Sequence, residues 1–171
     1  MQYIAFDFET SGLPVGRRPL TSETVGQYDT CRAVSLSAAR FSSRGRLMDT
    51  FDAIIQPLDF EISQGSIDIH GITKDRAMRE GRPFTEVFID FMKFVGPRSR
   101  NIIAHNAQFD TSVLKSEMIR NNIDLNLIED FNFRCTLKMY KERFLKPIKL
   151  GVLYKELFGV DFENAHNSLA D

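Results

Sequence analysis

The stretch Ile4-Ala5-Phe6-Asp7-Phe8-Glu9-Thr10-Ser11-Gly12 constrains this chain more than any other part of it. Tyr3, Ile4, Ala5 and Phe6 form a near-continuous apolar run, the mark of a strand covered on both faces. Two acids then interrupt it. Carboxylates are almost never fully buried unless they are paired or hold a metal. Asp7 and Glu9 are two residues apart, so on a strand both point to the same face. Either the strand ends in solvated acids, the commoner outcome for an arbitrary D-x-E, or the pair belongs to a divalent-cation site.

The rest of the chain supplies the frame for that choice. Residues 2–8 read as the first strand. Residues 11–31 contain Gly12, Pro14, Gly16, Pro19 and Gly26 and read as a long loop, a length that is often functional. Apolar runs at 32–41 and 47–56 flank Ser42-Ser43-Arg44-Gly45, a hairpin signal. Thr73 can cap a short helix that stops at Gly81. Pro83 suits the first position of a helix with Phe84, Val87, Phe88, Phe91 and Val95 at helical spacing, closed by Gly96-Pro97. Residues 101–104, NIIA, form a short strand. A helix follows over 107–120 with Phe109, Val113, Leu114 and Ile119 inward. A strand near 131–135, a helix after Thr136, and a helical stripe of Leu150, Leu153, Tyr154, Leu157 and Phe158 before Gly159 complete the order. The expected fold is α/β, with a mixed central sheet, its first three strands antiparallel and the later ones parallel, and helices on both faces.

At 171 residues, 43% hydrophobic and 26% charged, the chain has the composition of one ordinary globular domain. A net charge of −1 argues against nucleic-acid binding by bulk charge alone but leaves room for a local basic patch. Cys31 and Cys135 make no disulfide framework, and no apolar run approaches a membrane span. An intracellular, non-secreted protein with no membrane partner is expected.

Four acids fall at the ends of the expected elements: Asp7, Glu9, Asp110 in the first turn of the 107–120 helix, and Asp171. His166 lies near the last, in AHNSLAD. Five residues along a helix turn it by about 140°, so His166 and Asp171 converge only if His166 precedes a helix capped by Asn167 or Ser168. Each residue alone has a plain alternative; Asp110 could merely answer the helix dipole. As a set they suit two Mg²⁺ or Mn²⁺ ions, which take oxygen ligands. Two such ions about 3.5–4 Å apart clamp the attacking and leaving oxygens of a phosphodiester. A neutral imidazole can take the proton of the attacking water.

At these residues the chain resembles the DnaQ-like exonucleases, the DEDDh branch of the ribonuclease H-like superfamily, to which the proofreading subunit of bacterial DNA polymerase III belongs. Three blocks carry the resemblance in order: Asp7-Phe8-Glu9-Thr10-Ser11-Gly12-Leu13, His105-Asn106-Ala107-Gln108-Phe109-Asp110 and His166-Asn167-Ser168-Leu169-Ala170-Asp171. Between them, Ile69-His70-Gly71-Ile72-Thr73 is similar to the family's I-H-G-I-T segment. The resemblance implies a ribonuclease H-like fold and a metal-dependent 3′–5′ exonuclease releasing nucleoside 5′-monophosphates from DNA or RNA. It implies that Asp7, Glu9, Asp110 and Asp171 hold two metal ions and that His166 is the general base. It further implies that Phe8, Thr10 and Leu13 receive the terminal nucleotide, flanked by His70, Asn106 and Phe109. His70 could equally fix a turn, and His105 is expected to order the strand-to-helix turn. Ser11 and Ser168 stand where the family commonly has threonine and alanine. The segment 14–31 is longer than in compact members. Members normally continue past the last acid into a closing helix, so a single exonuclease domain over 1–171 lacking that helix, with weakened metal affinity, is expected.

Lys138, Lys141, Arg143, Lys146 and Lys149 place five positive charges within twelve residues, against Glu142 alone. Most such runs are solvated helix faces; beside a phosphodiesterase site they also suit phosphate contact. A single-stranded 3′ end is the expected substrate, with Phe109 available for stacking, and a DNA polymerase or replication complex is the expected partner. Two rivals stand against this. A phosphatase with Asp7 as covalent nucleophile wants a second aspartate where Glu9 stands, and a trapped phospho-enzyme would reveal it. A catalytically weak nuclease-like domain that only binds nucleic acid or a polymerase would show no metal-dependent turnover.

Overall fold

The computed structural model describes residues 2–16, 18–97 and 100–161 of the chain. Among them lie five strands and six α-helices. Strand β1 is Gln2–Thr10, β2 Ala33–Ser42 and β3 Leu47–Ile54; helices α1 (Gln64–His70), α2 (Lys74–Glu80) and α3 (Phe84–Val95) follow. Then come β4 (Asn101–Ala104), α4 (Ala107–Arg120), β5 (Asn132–Cys135), α5 (Thr136–Phe144) and α6 (Leu150–Phe158). The strands form one sheet in the order β3-β2-β1-β4-β5. β1 pairs antiparallel with β2, and β2 with β3; β1 pairs parallel with β4, and β4 with β5. This is the mixed sheet expected from a hairpin followed by alternating helices and strands.

Strand alternation sets the core. Ile4, Phe6 and Phe8 are buried, while Tyr3, Ala5, Asp7 and Glu9 on the opposite face are half-buried. Phe6 lies opposite Ala38, and Ala38 opposite Phe51, so the three share a face. Phe91 of α3 packs there, with its ring 6.3 Å from Phe6 and 6.0 Å from Phe51. α4 adds Val113, Leu114 and Met118, all fully buried.

Four local expectations need correction. Pro83 is the N-cap of α3 in extended conformation, not its first helical residue. α1 had no counterpart in the sequence reading; it buries none of its residues, so no apolar stripe marks it. Its signals are only Ser63, whose side chain accepts from Ser66 N–H, and Gly71 in the left-handed C-cap. On α4, Phe109 and Ile119 are half-buried, and Met118 and Glu117 take the fully buried places. The stripe on α6 departs furthest: no residue of that helix is buried, and Leu157 and Phe158 are 67% and 64% exposed.

Candidate active site

Asp7 and Glu9 lie within β1, which runs to Thr10, and point to the face away from the phenylalanine core. Their partners across the ladder on β2 are Ser37 and Ser35, small buried side chains that leave room beside the acids. Neither acid sits in a fully buried place, because the alternation that buries Phe6 and Phe8 turns them outward.

Asp110 reaches the same strand from α4. The paired residues of β1 and β4 end at Ala5 and Ile103. Beyond them the edge of β1 is open, and the Phe8 N–H donates to Asp110 Oδ1 at 3.3 Å. The third acid therefore rests on the peptide that joins Asp7 to Phe8. It is 2% exposed, and among the described residues no cation pairs with it. Burial pushes its acid up to about 7, against the Phe8 amide, which holds it down. A buried carboxylate with backbone donors but no basic partner is the situation a divalent cation relieves. The donor set, three carboxylates and no thiolate, suits Mg²⁺ or Mn²⁺. Among the described residues no group of three His, Cys, Asp or Glu side chains is close enough to hold an ion by itself. His166 and Asp171, which the sequence reading adds to the set, lie outside the described residues.

The turn after Glu9 is held rigidly. Ser11 N–H donates to Arg32 O, and Arg32 N–H donates to Ser11 Oγ. Ser63 N–H donates to Ser11 O, tying the turn to the cap of α1. A Cβ on Gly12 would lie 2.5 Å from Thr30 O, so glycine is required there by close approach rather than by its backbone angle. The Thr10 hydroxyl donates to Gly12 O at 2.9 Å. The long loop that follows is ordered by its own bonds: Val15 N–H to Gln27 O, and the Gln27 side chain to both N–H and C=O of Arg18. It carries a 3₁₀ turn over Val25–Tyr28. Together with the start of α4 this loop borders an open pocket of about 850 Å³, lined among others by Leu13, Arg18, Tyr28, Asn106 and Phe109. Leu13 at its mouth is 74% exposed.

His70 ends α1. Its Nδ1 accepts from Ile72 N–H at 3.0 Å, which fixes the turn at Gly71. Its Nε2 is buried without a partner of ordinary hydrogen-bond geometry among the described residues. Burial lowers the imidazole pKa, against the Thr10 backbone, which raises it. His70 thus lies beside the turn after Glu9. Asn106 precedes α4 in the left-handed region at φ 70°, a conformation asparagine tolerates better than most residues. His105 bonds Thr136 Oγ1 at 2.9 Å and Ile148 O at 3.0 Å. The carbonyl can only accept, so Nε2 donates to it. The imidazole is spent on structure, but on the start of α5 and the segment after it rather than on the strand-to-helix turn where it was expected to act.

One group was missed. Glu117 is 1% exposed and makes a two-pronged ion pair with Arg32, Nε to Oε1 at 2.8 Å and Nη2 to Oε2 at 3.1 Å. Its Oε1 also accepts from Ala33 N–H at 3.0 Å, and Asp59 holds Arg32 Nη1 at 3.1 Å. Glu117 lies seven residues after Asp110, close to two full turns, and so on the same face of α4. The pair therefore locks the helix carrying Asp110 to the residue that brackets Ser11. The signal was present in the spacing D-x₆-E, but a glutamate in a helix ordinarily reads as solvated.

The Exonuclease family model (RNase_T) matches residues 4–171, nearly the whole chain. Among sequence relatives, DNA polymerase III subunit epsilon of Buchnera aphidicola subsp. Baizongia pistaciae is 28% identical over 174 residues, covering 98% of this chain and 65% of the relative. DNA polymerase III PolC-type of Streptococcus agalactiae is 27% identical over 150 residues, covering 85% of this chain and 9% of that protein. Among solved structures, E. coli exonuclease I in complex with a dT13 oligonucleotide superposes with a TM-score of 0.77 at 19% identity, over 99% of this chain and 38% of the other. A full-length 3′-exonuclease gives 0.73 at 18% identity, over 99% and 56%. The chain thus spans less than two thirds of these relatives, and the structural likenesses speak for the fold.

Proposed function

The chain belongs to the exonuclease family, and from that premise we propose that it is a metal-dependent 3′–5′ exonuclease acting on single-stranded ends. The observation that carries the reading is Asp110, a buried carboxylate with no cation beside it among the described residues, resting on the peptide between Asp7 and Phe8. In this reading Asp7, Glu9, Asp110 and Asp171 hold two Mg²⁺ or Mn²⁺ ions. When bound, the ions polarise the scissile phosphodiester and stabilise its attacking and leaving oxygens.

The chain's own residues do the rest. Thr10 and Leu13 border the terminal nucleotide, and the Ser11–Gly12 turn, bonded on both sides, keeps that border from moving. Phe8, His70, Asn106 and Phe109 complete the surroundings. His166 takes the proton of the attacking water. Structural neighbours crystallised with dT13 and dA16 oligonucleotides support a single-stranded substrate. Relatives named as parts of DNA polymerase III support a replication setting. No helix among the described residues is long and apolar enough to cross a membrane.

The test is degradation of 5′-labelled DNA and RNA oligonucleotides with Mg²⁺, Mn²⁺ or excess chelator. The expected result is a ladder shortening from the 3′ end, release of nucleoside 5′-monophosphates, and arrest by chelator or a 3′-phosphate. Cleavage of a circular strand, or turnover that persists in chelator, would refute the reading.

A further inference from the structure

β1, β4 and β5 run parallel, so their C-terminal ends lie at one edge of the sheet. Asp7 and Glu9 stand at that edge on β1, and Asp110 follows the end of β4. α5 starts there too, directly after Cys135. It ends at Leu145, which is left-handed at φ 57° and 89% exposed. The segment that follows, Lys146-Pro147-Ile148-Lys149, would be free to swing away, but His105 bonds the Ile148 carbonyl at 3.0 Å. His105 immediately follows β4 and lies five residues before Asp110. One histidine therefore pins the segment to the catalytic edge.

This pinned stretch carries unpaired positive charge. Lys141, Arg143, Lys146 and Lys149 form no ion pair among the described residues; Arg44 and Arg46 of the β2–β3 hairpin form none either, and what sets this stretch apart is four such charges within nine residues. Lys138 has only Glu142, at 3.9 Å. Aromatic surface is interleaved with the charge. Phe144 is 50% exposed, with Arg143 over its ring at 5.2 Å and Tyr140 beside it at 4.5 Å. Cations along a path with an open ring between them make a surface for single-stranded nucleic acid, where charge follows the backbone and rings stack bases. A merely solvated helix face does not require a segment fastened to the strand next to the acids.

We infer that Lys141, Arg143, Lys146 and Lys149, with Phe144, form a contact surface for the sugar–phosphate backbone of the single strand upstream of its 3′ end. The inference rests on the exonuclease reading, because it takes the edge that bears the acids as the place where the strand ends.

The test compares the parent with Lys146→Ala/Lys149→Ala and with Arg44→Ala/Arg46→Ala, a charge-matched control in the β2–β3 hairpin. Two substrates are used: a 5′-labelled dT oligonucleotide and thymidine 5′-p-nitrophenyl phosphate, which has no upstream strand. Oligonucleotide affinity is also read by fluorescence anisotropy in Ca²⁺. The lysine variant should lose about tenfold in oligonucleotide affinity and kcat/KM, far more than on the ester. Its dependence of log K on log salt should flatten by about 0.7 for each phosphate no longer neutralised. The hairpin variant should bind within about twofold of the parent. Equal losses in both variants would reduce the effect to bulk charge, and unchanged affinity in the lysine variant would show that these lysines do not hold the strand; either result overturns the inference. A parent that binds the oligonucleotide but hydrolyses neither substrate would instead overturn the exonuclease reading.

Discussion

α4 connects β4 to β5 and α6 comes after the last strand, and they meet the rest of the molecule in opposite ways. α4 buries seven residues, three of them polar: Asp110, Ser116 and Glu117. α6 buries none, although its sequence is the more apolar to the eye. Apolar stripes are fungible, since hydrophobic burial is non-directional. A buried carboxylate is not, because it must find its donors or be expelled. Glu117 finds three, on Arg32 and Ala33, and Asp110 finds the Phe8 amide. Polar burial thus fixes the rotation and height of α4 against β1, and with them the placement of Asp110.

The largest effect expected on this contrast is chemical. Asp7→Asn is nearly isosteric and should lower metal-dependent exonuclease turnover by on the order of 10²–10³-fold or more, with circular dichroism and unfolding midpoint close to the parent. Retained turnover would remove Asp7 from the machinery. His166→Ala should cost roughly 10²–10⁴-fold and flatten the rise of rate through the histidine pKa; loss of metal with an unaltered pH profile would make it a ligand instead.

Next comes the buried ion pair. Glu117→Ala leaves Arg32 with Asp59 alone and should destabilise the chain by about 3–5 kcal/mol in urea unfolding. A loss under about 1 kcal/mol would mean the pair behaves as a surface one and does not set α4.

A smaller effect concerns pH. A folded-state acid raised to about 7 at Asp110, against an unfolded value of about 3.9, means that the folded state binds more protons than the unfolded between those limits. Without metal, this group should therefore make the chain more stable as pH falls from about 7 towards 4, and its penalty should be fully present above 7. Asp110→Asn should abolish that component, and divalent metal should mask it. A parent and variant with parallel stability–pH curves would show that Asp110 does not titrate in this way.

The smallest effect belongs to α6. Leu157→Ser should change unfolding stability by no more than about 0.5 kcal/mol, as exposed sites do. A loss approaching that of Glu117→Ala would erase the difference between the two helices.

Much of the fold was legible because its signals are local. The hairpin turn, the Thr73 cap, the Gly96 stop and the bounds of α4 follow from periodicity and capping. α1 was not legible, since a helix with no buried residue leaves no period to read. Phe109 and Ile119 were expected inward because apolar residues define a face only when the polar ones point out, and on α4 Ser116 and Glu117 do not. For the site, Asp7 and Glu9 declared themselves as acids in an apolar strand. Arg32 and Glu117 did not, because their worth lies in a pairing across 85 residues.

By itself, the sequence determined that two carboxylates share one strand face, that a helix begins near the third, and that the elements alternate into a mixed sheet. These are consequences of strand and helix periods, which act over a few residues. The tertiary structure alone decided that β4 pairing stops short of Phe8, so that Asp110 takes the amide left open. It also decided that His105 holds the Ile148 carbonyl, that Glu117 is buried on Arg32, and that the stripe on α6 stays outside the core. Each depends on which distant groups satisfy a buried polar atom, and that demand has no period along the chain.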